Sequence, residues 1–170
     1  RAVASHRRMV RYVSLVLAGP PLSGFTRWHE SLAPDERAGT TMLGYIDASE
    51  RRDLLAAIDA FALPSRTESF GIVYLEAWLN RKPVVAARAG AVPEIVRDGE
   101  TGLLVPFGDP DALGEALGRL MDDGGLGEAL ADAGYRLAMS RYTWSDVLTR
   151  VQRGYVIALR RSVNAPEGMG

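Results

Sequence analysis

The chain has 170 residues, of which 47% are hydrophobic and 24% charged, with a formal net charge of −1. That is the composition of an ordinary globular domain long enough to bury a core, and its near-neutral charge leaves no electrostatic footprint for nucleic acid or an anionic membrane surface. No cysteine is present, which excludes disulfides, thiolate catalysis and Cys-based metal sites.

Arg1–Arg11 is basic and polar and reads as the end of a helix. It lacks the apolar stretch of a signal peptide, and no run approaches membrane-spanning length, so the cytoplasm is the expected compartment. Tyr12–Ala18 reads as a buried strand stopped by Gly19-Pro20-Pro21, Thr26–Leu32 as a short helix, and Thr41–Leu43 as a strand closing on Gly44. Ser49 has the chemistry of an N-cap, and Glu50–Asp59 carries Leu54, Leu55 and Ile58 at helical spacing. Ala60–Leu63 predicts a third strand ended by Pro64, followed by a polar loop and a helix from about Phe70-Gly71 to Asn80-Arg81. Pro83–Ala87 and Gly102–Val105 predict two more strands around a helical turn at Pro93–Val96. From Asp109 onward only helices are expected. Asp109 caps one running from Pro110 to about Asp122, then come Leu126–Ser140 and Thr143–Arg161, with the tail to Gly170 disordered. Strands alternating with helices predict one α/β domain over residues 1–161, a parallel sheet covered on both faces.

The third strand, its loop and the helix start form the mouth of such a sheet, where ligands collect. The N–H groups of Gly71, Ile72 and Val73 would be free there and favour an anion. Glu68 in the loop and Glu76 on the helix can accept hydrogen bonds from hydroxyls on either side of it. A diphosphate flanked by two polyols, a nucleotide-sugar, meets all three demands. Each residue also has a plainer use: Glu68 as an acid favoured by the helix dipole, Ser69 as N-cap, Glu76 as a surface side chain. His6 and His29 lack ligand-like neighbours, and no P-loop, nucleophile elbow or Gly-x-Gly-x-x-Gly occurs. Asp109-Pro110-Asp111 is better explained by capping than by metal binding.

Glu68-x7-Glu76, with Ser69-Phe70-Gly71 after the first acid and Ala77 after the second, resembles the E-x7-E signature of retaining glycosyltransferase family 4. Pro64-Ser65, Lys82–Val85 and Pro93–Val96 extend the resemblance, which runs from about Leu15 to the helix around residues 147–156. It implies a Rossmann-like parallel sheet with helices on both faces, the C-terminal half of a GT-B fold. By this resemblance Glu68 is the catalytic residue, beside the reacting carbon of the transferred sugar, and its charge suits a positive centre there. Glu76 takes the ribose hydroxyls, Ser69, Phe70, Gly71, Ile72 and Val73 form the diphosphate-binding helix start, and Gly44, Tyr45 and Ile46 lie along the nucleobase. The donor is a nucleoside-diphosphate sugar, with no metal or other cofactor implied. The acceptor lobe, and an Arg and Lys pair for the diphosphate, are expected outside these residues, so the chain alone is expected to be inactive. The sequence departs from the family at Ala91, where a second Gly of Gly-Gly-x-Pro-Glu is usual, and at Asn80-Arg81, where a small residue and Gly are usual. Arg88 is either an extra phosphate partner or a surface arginine. Two other functions remain open: a non-enzymatic nucleotide-sugar-binding or interaction module, and a GT-B nucleotide-sugar epimerase.

Overall fold

The computed structural model describes residues 13–163; the helix end read at Arg1–Arg11, Tyr12 and the tail 164–170 lie outside them. The chain runs β1 (Leu15–Ala18), α1 (Ser23–Glu30), α2 (Pro34–Arg37), β2 (Thr40–Gly44), α3 (Ala48–Ala57), β3 (Phe61–Leu63), α4 (Ile72–Leu79), β4 (Val84–Ala87), α5 (Val92–Ile95) and β5 (Leu103–Val105). Three helices follow: α6 (Pro110–Asp122), α7 (Gly124–Arg141) and α8 (Trp144–Val163), the last passing its expected end at Arg161. The one-turn helix α2 was not foreseen, being too short for any apolar period. At α3 the cap is Asp47 and not Ser49. The Asp47 carboxylate accepts from the N–H groups of Ser49 and Glu50, while Glu50 returns a carboxylate oxygen to the Asp47 N–H at 2.8 Å. Such a reciprocal box satisfies two orphan donors and outcompetes a single hydroxyl. Asp109 caps α6 ahead of Pro110, as expected.

All strand pairing is parallel, but the strands hydrogen-bond in two sheets, β1–β2 and β3–β4–β5, where one was expected. Burial divides the same way. On β4, Val84 and Ala86 join Tyr74, Trp78, Val92 and Leu104 on one face, while Val85 joins Leu103, Val105, Ala116 and Leu120 on the other. That two-residue alternation, with apolar partners on both sides, makes β3–β5 a core sheet with helices on both faces. Before Gly71, by contrast, Leu55 is the only buried residue among those described.

The turn after α4 explains one departure from the family pattern. Arg81 has φ of 53°, and its N–H and that of Lys82 bond back to the carbonyls of Trp78 and Ala77. This is the double bond of a Schellman C-cap, whose left-handed position normally goes to Gly. Here the arginine side chain forms an ion pair with Asp132 and lies 4.3 Å from the centre of the Tyr135 ring, contacts glycine could not make. Those contacts on α7 offset a left-handed backbone that costs an L-residue about 1–2 kcal/mol.

Candidate nucleotide-binding mouth

β3 ends at Leu63 and α4 starts at Ile72, so the intervening loop carries Glu68 back over the helix start. Gly71 is the N-cap, with φ of 74°. A Cβ built on it would lie 2.4 Å from Tyr74 Cδ2. Tyr74 cannot retreat: it is fully buried, its hydroxyl donates to the Leu63 carbonyl at 2.9 Å, and its ring meets Phe61 edge-on. Burial, and secondarily the Glu68 carboxylate, push its pKa up to about 12. Tyr74 thus ties the first turn of α4 to the end of β3 and fixes both ends of the loop between them.

The helix start is not wholly free. Glu68 Oε1 accepts from the N–H of Ser69 at 3.1 Å and of Gly71 at 3.2 Å. The Gly71 donor, expected to face an outside anion, is therefore taken by the chain's own carboxylate, which the helix dipole attracts. Among the described residues, nothing accepts from the N–H groups of Ile72 and Val73. Ser69 does not cap with its hydroxyl; the left-handed Gly71 occupies that position. Phe70 stands half-exposed and meets Tyr142 edge-on, with ring centres 5.7 Å apart, at the junction of α7 and α8.

Glu76 lies on the second turn of α4, partly exposed. Its Oε1 accepts from Arg51 Nη2 on α3 at 2.9 Å. Gly44, with φ of 70°, ends β2; Tyr45 is 81% exposed, and Ile46 leads into the Asp47 cap. An apolar cleft of about 230 Å³ opens beside Gly44, between the Ala18–Leu22 loop, Phe25 and Met42.

Opposite Glu68, Gly90 takes the left-handed conformation, with φ of 55°, and an added Cβ would touch the Glu68 carbonyl at 3.5 Å. Ala91 is ordinary, at φ −83°, so its substitution for Gly is unstrained. Arg88 is not a spare cation: its Nη2 lies 2.6 Å from Asp98, whose other oxygen accepts from the Leu104 N–H. Sequence reading missed Arg51 and Tyr74 as parts of this mouth. Only Tyr74 had a local signal, an aromatic three residues after a helix-start glycine. Among the described residues no three His, Asp or Glu side chains gather as for a metal ion, and no helix is long and apolar enough to cross a membrane.

A family model described as "Glycosyl transferases group 1" matches residues 1–123. A GDP-mannose-dependent alpha-(1-6)-phosphatidylinositol monomannoside mannosyltransferase of Mycolicibacterium smegmatis is 37% identical over 153 residues, 85% of this chain and 40% of that protein. The chain thus spans well under half the length of this relative. Among solved structures, the C-terminal domain of a glycosyl transferase group 1 family protein (LpcC) from Francisella tularensis superposes with a TM-score of 0.76 at 27% identity. It covers 84% of this chain and 76% of that one. Anabaena Alr3699/HepE, solved in complex with UDP and glucose, superposes at 0.75 with 26% identity, over 92% of this chain and 44% of its own.

Proposed function

Because the chain belongs to the group 1 glycosyl transferases and has the Rossmann-like form of one half of a GT-B fold, we propose that its mouth binds a nucleoside-diphosphate sugar for retaining hexosyl transfer. The observation that carries this reading is the helix start of α4. There, two N–H groups, at Ile72 and Val73, without a partner among the described residues, lie between a carboxylate in the loop and another on the second turn. Phosphate oxygens take the two N–H groups, aided by the positive pole of the helix. Glu76 accepts from the ribose hydroxyls, and Gly44-Tyr45-Ile46 with the adjoining apolar cleft holds the base. Glu68 keeps one oxygen on the helix start and offers the other to the sugar, where a carboxylate stabilises positive charge at the anomeric carbon. A phosphate claiming the Gly71 N–H would displace Glu68 Oε1 from it, so donor binding and the position of the catalytic carboxylate are coupled. The acceptor is held by further parts of the longer enzyme, and these 170 residues bind donor without turning it over.

Calorimetry with UDP and GDP sugars tests the reading. A bound nucleotide should lose about tenfold to hundredfold in affinity on Glu76→Ala, the loss of roughly 1.5–3 kcal/mol for hydrogen bonds to a charged acceptor. Unchanged affinity in that variant, or no heat with any nucleotide, would sink the proposal.

A further inference from the structure

We infer that Arg51 is a positioning residue for nucleotide binding, holding the Glu76 carboxylate in the rotamer that meets the ribose; this rests on the function proposed above. Arg51 is set by its own short-range structure. It follows the Asp47–Glu50 capping box directly, and its N–H bonds to the Asp47 carbonyl at 3.0 Å. Asp47 in turn adjoins Gly44-Tyr45-Ile46. The segment proposed to lie along the base and the guanidinium that grips the ribose acceptor are therefore joined through the capped start of one helix. Arg51 reaches from the second turn of α3 to the second turn of α4, across the two helix starts that frame the mouth. The contact uses one lone pair of Glu76 Oε1. A carboxylate has about four acceptor positions, so enough remain for two vicinal hydroxyls. Without Arg51, Glu76 is a long, partly exposed side chain on a helix surface, and ordering it on binding costs rotamer entropy.

An exposed ion pair adds little to folding stability, and the two side chains are 45% and 29% exposed. Arg51→Met should therefore leave the unfolding midpoint nearly unchanged, which makes the binding readout clean. The probes are UDP or GDP and the matching 2′,3′-dideoxynucleoside diphosphate, titrated calorimetrically into the 170-residue chain. Arg51→Met should weaken the ribonucleotide roughly three- to tenfold, the scale of one neutral hydrogen bond, and Arg51→Lys should recover part of that. The dideoxy ligand, which offers Glu76 no hydroxyl, should bind the parent and Arg51→Met equally. Tighter ribonucleotide binding by Arg51→Met would mean that the arginine blocks the site, and would overturn the inference. An equal loss with the dideoxy ligand, which points to direct phosphate contact or a general distortion, would do the same. Glu76→Ala separates the two levels. If it weakens the ribonucleotide while Arg51→Met does not, only the role of Arg51 falls. If it has no effect, the reading of the mouth falls and the inference with it.

Discussion

Gly71→Ala should destabilise the chain by about 2–5 kcal/mol, a large share of the 5–15 kcal/mol by which domains are stable. Two effects add at this position. A left-handed backbone costs an L-residue about 1–2 kcal/mol. The new methyl would also stand 2.4 Å from a ring that is fully buried and tethered through its hydroxyl, and overpacking of that kind costs about 1–3 kcal/mol. Gly99 supplies the control. Its φ is 72°, almost the same, but nothing lies within 4 Å of an added Cβ, so Gly99→Ala isolates the backbone contribution. Urea unfolding of both variants should place Gly71→Ala well below Gly99→Ala. Equal losses would show that the Tyr74 ring yields and does not fix the helix start. The surviving folded fraction of Gly71→Ala should also bind nucleotide poorly, since relieving the clash moves Tyr74 and the loop end it holds at Leu63.

Trp78→Ala should cost about 3–5 kcal/mol from the lost ring alone. Trp78 is fully buried and packs so closely on α7 that a Cβ on Gly134 would lie 2.3 Å from its ring. Its Nε1 donates to the Thr101 carbonyl at 2.9 Å, and Thr101 is itself buried, with its hydroxyl accepting from the Arg97 N–H. Removing the indole therefore leaves both a cavity and an orphaned carbonyl. Trp78→Phe restores most of the volume but not the donor, and should lose only the roughly 1–3 kcal/mol of a buried unsatisfied group. Unfolding midpoints in urea for the two variants separate the terms, and a Trp78→Phe loss as large as that of Trp78→Ala would count against the hydrogen bond's share.

What could be read from the sequence divides by range. Asp109-Pro110 and the helix after it were legible because a cap and a first-turn proline act on their own neighbours. The strands were legible because Val84–Ala87 is apolar throughout, as a strand buried on both faces must be. At α3 the correct cap was also within reach: Asp47 has Glu50 three residues on, whereas Ser49 has Arg52, which cannot close a capping box. The pairing into two sheets was not legible, since strand order and edges depend on contacts that no local pattern encodes. Of the mouth, Glu68, Gly71 and Glu76 stood out by spacing, but their present partners did not. Arg51 is 25 residues from Glu76, on a helix whose local pattern gives no hint of that contact. Nor does composition reveal that Glu68 folds back onto Gly71, because a loop acid near a helix start is equally at home facing water. Asn80-Arg81 looked like an anomaly in one dimension and is explained only by Asp132 and Tyr135, some fifty residues away.

Gly44 ends the thinly covered sheet and Gly71 starts the helix on the densely covered one. A molecule gripping both would act as a strut between a soft body and a stiff one, and its binding energy would be shared by backbone it never touches. Occupancy of the mouth would then be felt along β1 as slower opening, so a thinly buried strand becomes a reporter of ligand.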